Sequence, residues 1–117
     1  MMEGLSIKRG GEELFGTVDE AVTFLERLVG LTRRRSVSER YAMAFANCPR
    51  IHCRGMKVPI DVVTCDEAGN VLDARTVAPG RLGPRLEGAY WAIECREGAA
   101  ARLGIGPGQR LEIERRP

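Results

Sequence analysis

The chain has 117 residues, of which 44% are hydrophobic and 29% are charged, and its net charge at pH 7 is +2. These values predict one globular domain over residues 1–117 and exclude a chain that is mostly disordered. So small a charge predicts no nucleic-acid partner, because such partners are usually bound by many clustered cations. No apolar stretch is long enough to cross a bilayer, and residues 1–11 lack the apolar segment of a signal peptide. We therefore expect a cytoplasmic protein with no membrane partner.

Frequent glycine turns between short β-branched segments favour a mainly β fold. Near the start of the chain, residues 5–8 and 12–15 flank a Gly-Gly pair and are predicted to form a hairpin. Residues 17–35 then carry apolar side chains at helical spacing and predict the longest helix. A capping box can begin at Thr17 or at Thr23, because each is followed three residues later by Glu, so the start of this helix stays open.

The rest of the chain alternates predicted strands with glycine-rich turns. Five further strands are predicted, at residues 42–46, 59–65, 71–77, 89–95 and 109–114. One short helix is predicted at residues 98–103. Residues 66–70 have the composition of a hairpin loop, and Gly104 is expected to end the short helix. Residues 78–89 contain several glycines and prolines and predict a long loop, of a length that is often functional.

The cysteines are expected to be reduced thiols, because disulfides are rare in the cytoplasm. Cys48, His52 and Cys53 could supply three ligands to a metal, with Cys65 or Cys95 as the fourth. The chain has no Cys-x-x-Cys pair of the kind found in structural zinc sites. We therefore favour small thiols that fill strand interiors, keep the metal-supported fold as an alternative, and predict no cofactor.

Residues 52–63 place charged side chains in a segment that otherwise has the pattern of a buried strand. Alternation along a strand puts Lys57 and Asp61 on one partly polar face, and the purely apolar face is the predicted core. Pro59 lies between them and cannot donate to a neighbouring strand, so it marks a sheet edge or a strand entrance. Lys57 and Asp61 either form an ion pair that holds the strand start or line a polar pocket together with His52.

The pattern His-x-x-x-Met-basic-x-Pro-Ile-Asp-Val-Val at residues 52–63 resembles the central signature of domain-of-unknown-function family 192, small proteins of bacteria and archaea. Three other segments resemble the family in order and spacing, at residues 23–31, 66–71 and 92–108. The resemblance covers about residues 12–114 and implies a compact β-barrel or sandwich with one or two short helices. It favours Thr23 as the helix start, which leaves the residues before Thr23 extended, and it implies no particular activity. The sequence departs from the family at Gln109, where members often carry Asp.

The resemblance also implies a set of candidate ligand-binding residues: Arg27, His52, Met56, Lys57, Asp61 and Glu94. Glu94 alternates with Ile93 and Cys95, so its side chain leaves the apolar face of its predicted strand. We expect it to join Lys57 and Asp61 in one polar cluster.

These residues predict a small soluble binding module with a polar pocket near Lys57 and Asp61. The positive charges of Lys57 and Arg27 would attract an anionic small ligand or a peptide, whose identity the sequence leaves open. The alternative is an enzyme that uses His52, Asp61 and Glu94 as acid and base groups around one water or ligand. We favour the binding module, because a lone histidine is more often a hydrogen-bonded structural residue.

Overall fold

The computed structural model describes residues 3–21, 37–50 and 58–116. Within these ranges the chain forms eight strands and one short helix: β1 (Glu3–Arg9), β2 (Glu12–Glu13), β3 (Thr17–Glu20), β4 (Tyr41–Phe45), β5 (Ile60–Cys65), β6 (Val71–Val77), β7 (Trp91–Arg96), α1 (Ala99–Arg102) and β8 (Glu112–Arg115). No helix in these ranges has both the length and the apolar character needed to cross a membrane.

The strands join one curled sheet in the order β2-β1-β3-β4-β7-β5-β6, with β8 paired to β1. Neighbouring strands are antiparallel except β3 and β4, which are parallel, with Thr17 opposite Tyr41. A parallel pair needs a crossover of about a dozen residues or more. That crossover runs from the end of β3 to the start of β4 and includes residues 22–36, which lie outside the described ranges. The prediction of a mainly β fold is confirmed, as a curled half-barrel.

Each face of the sheet carries its own buried cluster. The cluster on the first face is the larger and includes Leu5, Ile7, Val63, Cys65, Ile93, Cys95 and Ala100. The cluster on the second face includes Ala21, Val37, Met43, Phe45, Ile60, Val62 and Ala92. All six residues of β5 are buried, because this strand lies between β6 and β7 and both of its faces are covered. The prediction that the Asp61 face is the partly polar one is therefore wrong: it belongs to the larger core.

Most predicted strands are confirmed to within a few residues of their observed ends. β6 has the predicted bounds, and β5 begins at Ile60, directly after Pro59, which stands at the strand entrance as expected. A helix that starts at Thr17 is wrong, because Thr17–Glu20 is strand β3 and pairs with β4. The alternative start at Thr23 lies outside the described residues, but strand β3 confirms the extended residues that were predicted before it.

The short helix α1 ends in a Schellman motif, in which backbone amides beyond the last turn bond carbonyls of that turn. The Gly104 amide donates to Ala101 O at 3.1 Å, and the Ile105 amide donates to Ala100 O at 2.8 Å. Gly104 has φ of 66°, the left-handed conformation that glycine adopts without strain. Its predicted role in ending the helix is confirmed.

The hairpin between β5 and β6 is stabilised by its own side chains and by a backbone hydrogen bond from Leu111 to Gly69. Asp66 Oδ1 accepts the Asn70 amide at 2.8 Å, and Asp66 Oδ2 accepts Asn70 Nδ2 at 2.9 Å. The hydrogen bond from the Asn70 side chain lowers the pKa of Asp66. Gly69 has φ of 94°, and a Cβ at this position would overlap the carbonyl oxygen of Leu111. Glycine is therefore required here both for its backbone conformation and for its small size.

We predict that Gly69→Ala lowers the free energy of unfolding by roughly 2 kcal/mol or more, because left-handed strain and backbone overlap act together. Gly80→Ala is the matched control: Gly80 has φ of 80°, and nothing lies within 4 Å of a Cβ there. This control should lose about 1 kcal/mol. Urea unfolding measures both variants, and equal losses would contradict the close approach of Leu111 to the hairpin.

Candidate functional site

The six candidate ligand-binding residues divide into two groups. Arg27, His52, Met56 and Lys57 lie outside the described residues, and so does Cys53. Asp61 and Glu94 are described, and each has only 3% of its surface exposed. Buried carboxylates are unusual in a small sheet, because a buried charge is costly unless other groups stabilise it.

Asp61 lies in β5, and its carboxylate bonds three groups from two other elements. Oδ1 accepts the Thr76 hydroxyl of β6 at 2.7 Å. Oδ2 accepts the backbone amides of Gly98 and Ala100, each at 3.0 Å. Hydrogen bonds to an ionised group are stronger than neutral ones, and this acceptor is almost fully buried. Asp61 therefore fastens β5 to β6 and to the first turn of α1.

These bonds give α1 the cap that its own sequence lacks. The N-cap residue is Gly98, which has no side chain to accept a first-turn amide, and the first turn contains no acidic residue. Helix starts leave such amides without a partner inside the helix, and an Asp at the N-cap normally accepts one of them. Here the acceptor comes from Asp61, which is 39 residues before Ala100 in the chain.

The other end of α1 is held from β1. Arg9 Nη2 donates to Leu103 O at 2.7 Å, and Arg9 Nη1 donates to Gly104 O at 3.2 Å and to Gln109 Oε1 at 3.0 Å. Gln109 Nε2 donates to the same Gly104 oxygen at 2.6 Å. Gln109 thus has a structural role, since its side chain accepts a hydrogen bond from Arg9 and donates one to the Gly104 carbonyl.

Glu94 lies in β7 on the second face of the sheet. Its Cα partners are Met43 of β4 and Val62 of β5, both of which belong to the second-face cluster. Ala92, two residues earlier on the same face, is also in that cluster. The Glu94 carboxylate is therefore set among apolar side chains near the middle of the sheet, where a charged group has a strong effect on its surroundings.

The predicted polar cluster of Asp61 and Glu94 is wrong. Asp61 is opposite Cys95, a member of the first-face cluster, whereas Glu94 is opposite Val62, a member of the second. Because neighbouring residues of a strand point to opposite faces, the sheet separates the two carboxylates. Asp61 and Glu94 therefore cannot act on one water or ligand, which removes the acid and base arrangement of the enzyme alternative.

The described cysteines are also divided between the two faces. Cys65 and Cys95 lie fully buried in the first-face cluster, as expected for thiols that fill strand interiors. Cys48 packs against the second-face cluster, and its Sγ donates to Arg50 O at 3.3 Å. The sheet therefore separates Cys65 and Cys95 from Cys48, so the prediction that either completes a metal site with Cys48 is wrong. His52 and Cys53 lie outside the described residues.

Burial controls the chemistry of these two core thiols. It raises the pKa of Cys65 to about 12, with a further contribution from the charge of Asp66. Burial likewise raises the pKa of Cys95 to about 12, with the charges of Asp61 and Glu94 adding to the effect and Arg102 opposing it. The thiolate is the reactive form, so both cysteines are chemically inert at neutral pH.

An ion pair that no sequence pattern predicted closes one end of the first-face core. Arg115 of β8 donates from Nε and Nη2 to the two carboxylate oxygens of Glu20, each at 2.7 Å. Glu20 is 4% exposed, and the Arg115 guanidinium lies 5.6 Å from the centre of the Trp91 ring. Strand alternation from Val18 would have placed Glu20 in the core, but the helical spacing of residues 17–35 left the start of the helix open and so left the face of Glu20 undecided.

Comparison with known proteins identifies the family and the fold. The family model of DUF192, Uncharacterized ACR, matches residues 5–113, beginning earlier than the predicted residue 12. A protein of unknown function from Novosphingobium aromaticivorans has a similar structure, with a TM-score of 0.79, 23% identity, and coverage of 95% of this chain and 84% of that one.

A second similar structure comes from Sinorhizobium meliloti, for a protein provisionally named a transcription regulator. It has a TM-score of 0.70 and 24% identity, and the match covers 96% of this chain and 93% of that one. Identities this low establish the shared fold and carry no activity from either protein. No curated protein matches the chain.

We predict that Asp61→Ala lowers the free energy of unfolding by roughly 2–4 kcal/mol, because the Gly98 and Ala100 amides lose a charged acceptor. Asp61→Asn keeps the size and one acceptor oxygen, so its loss should be smaller. The control Thr76→Ala leaves both amides bonded and should cost no more than about 1.5 kcal/mol. Urea unfolding gives the three values. A loss for Thr76→Ala as large as that for Asp61→Ala would contradict the capping role.

We also predict that stability falls as the pH rises from about 9 towards 12. The two buried thiols stay protonated in the native state, whereas their pKa in the unfolded chain is near 9.0. Above pH 9 the unfolded state binds fewer protons, so each thiol lowers the free energy of unfolding by about 1.4 kcal/mol per pH unit. Urea unfolding at pH 8 and pH 10 should show a shallower fall in Cys65→Ala and Cys95→Ala. An unchanged fall in both variants would contradict the prediction.

Proposed function

The chain belongs to the DUF192 family, and from this premise we propose that it is a small binding module for an anionic small ligand or peptide. In this proposal the pocket lies on the second face of the sheet, and Lys57 and Arg27 bind the anion. The buried carboxylate of Glu94 is the observation that carries the proposal. A carboxylate among Met43, Val62 and Ala92 strongly favours cations beside it, and such cations can also bind an anionic ligand.

The ends of the two segments that carry the candidate residues support this location. Residues 22–36, which include Arg27, begin after Ala21 and end before Val37, and both flanking residues belong to the second-face cluster. Residues 51–57, which include Lys57, lie between Cys48, packed on that cluster, and Ile60, a member of it. Short chain lengths limit how far Lys57 can lie from Ile60. These attachments favour a site on the Glu94 side of the sheet.

The contacts of Asp61 suggest a supporting role for it in this proposal. Both of its carboxylate oxygens already accept hydrogen bonds, from Thr76, Gly98 and Ala100. We therefore assign Asp61 to fixing the strand that follows Lys57, while His52 and Met56 are proposed to line the pocket itself. A charged residue that orders a strand next to a site positions that site without touching the ligand.

A ligand-dependent melting experiment on the full chain tests the proposal. Trp91 fluorescence follows unfolding while inorganic phosphate, succinate or a short glutamate-rich peptide is titrated in. We predict a saturable rise in Tm of several degrees for at least one of these anions, because binding to the native state stabilises it. Lys57→Ala and Arg27→Ala should abolish the rise, and Glu94→Gln should weaken it by leaving the cations without their carboxylate.

Lys8 provides the matched control, since Lys8 and Lys57 are the only two lysines of the chain. Lys8→Ala removes the same charge from β1 and should keep the full rise in Tm. Amine acylation followed by mass spectrometry gives a second measurement, in which the bound anion should protect Lys57 and leave Lys8 unchanged. The proposal fails if no anion raises Tm, if Lys57→Ala responds as the wild type does, or if only a polycation such as spermidine stabilises the protein.

A further inference from the structure

The outer edge of β6 is open in the part of the chain that the structure describes. β6 ends the strand order, and within the described residues backbone hydrogen bonds cover its outer side at its first residue only. The Val71 amide donates to Gln109 O at 2.8 Å, and its carbonyl accepts the Gly108 amide at 3.4 Å. No strand within residues 3–21, 37–50 and 58–116 pairs with the outer edge of residues 72–77. Such an edge presents backbone donors and acceptors that can pair with another strand.

The exposed part of this edge carries one ion pair. Asp73 and Arg75 alternate with Ala74, so their side chains lie on the same face of β6. Arg75 Nε and Nη2 donate to the two oxygens of Asp73, at 2.7 and 2.9 Å. Half of the Arg75 side chain is exposed, and the Thr76 residue beside it is also exposed. An acid and a base placed symmetrically about Ala74 form a self-complementary pattern.

We propose that β6 pairs with β6 of a second copy of this chain, antiparallel and about a two-fold axis at Ala74. In this register Asp73 of each copy lies opposite Arg75 of the partner subunit. Each intrachain ion pair then becomes part of a four-charge group across the dimer. Directly opposite charges stabilise a strand pair, and a two-fold axis repeats each favourable contact.

The charges also select this register over its neighbours. A two-fold axis at Arg75 would place two arginines directly opposite each other, and an axis at Asp73 would do the same for two aspartates. Like charges in opposed positions destabilise strand pairing. Only the axis at Ala74 opposes unlike charges twice.

The geometry of β6 limits the length and strength of this contact. The register with β5 shifts between Thr64 and Cys65, which leaves Leu72 as an extra residue in β6. Such a bulge bends and twists its strand, so the regular part of the edge is short. We therefore expect a weak, reversible dimer whose population rises with protein concentration, because small interfaces give weak association.

Analytical ultracentrifugation of the full chain over a wide concentration range tests the proposal, with charge-reversed variants. Asp73→Arg carries two cations on the edge and Arg75→Asp carries two anions, so each variant alone should dimerise at least tenfold more weakly than the wild type. An equimolar mixture of the two should form a heterodimer, because unlike charges again lie opposite each other. The double variant D73R/R75D should recover the homodimer for the same reason.

A reversal at the other end of the strand order, Glu12→Arg in β2, is the control and should leave the dimer unchanged. Circular dichroism checks that each variant is folded. A wild type that stays monomeric at millimolar concentration overturns the proposal. In that case the Asp73–Arg75 pair protects the edge strand against pairing with other chains. The proposal also fails if each single variant dimerises as the wild type does, or if the mixture forms no heterodimer.

Discussion

The buried carboxylate of Asp61 is the interaction on which the rest of this structure depends. Its hydrogen bonds to Thr76, Gly98 and Ala100 join β5, β6 and α1. Gly98 cannot cap the helix, so the cap must come from elsewhere in the fold. An ionised acceptor with three donors is stable in a dry interior, whereas the same carboxylate without them would be costly. The acidic residue of the central signature therefore has a clear role in folding.

Because Asp61 is committed to the structure, the proposed binding site is assigned to the opposite face of the sheet. β5 and β7 are central strands with both faces buried, so each side of the sheet can carry a separate role. The first face holds the larger core, the two inert thiols and the Asp61 cap. The second face holds Glu94 among apolar side chains, next to the attachment points of the segments that contain Arg27 and Lys57.

Local patterns were sufficient to predict the features that are formed by neighbouring residues. The hairpin before β6 and the helix stop at Gly104 follow from turn chemistry over five or six residues, and both are present as predicted. Alternation also placed Glu94 on the face opposite Ile93 and Cys95, as observed, but that face holds a second apolar cluster where a polar one was expected. Each of these conclusions uses only the backbone preferences of a short segment.

The errors arose where distant segments meet. The register of β5 against β7 decides that Asp61 and Glu94 lie on opposite faces, and no pattern within either strand contains it. Helical spacing and a capping box at Thr17 left the start of the helix open, because the parallel pairing of β3 with β4, which decides it, joins residues 24 positions apart. The Asp61 cap is likewise invisible in sequence, since its partners are 37 and 39 residues away.

Amide hydrogen exchange at Gly98 and Ala100 tests the central claim most directly. First-turn amides of a short helix usually exchange quickly, because they have no partner within the helix. The account predicts that in the wild type these two amides exchange as slowly as those of β5, and that Asp61→Ala removes this protection while the amides of β1 stay protected. Exchange at the wild-type Ala100 amide as fast as at the loop residue Gly88 would contradict it.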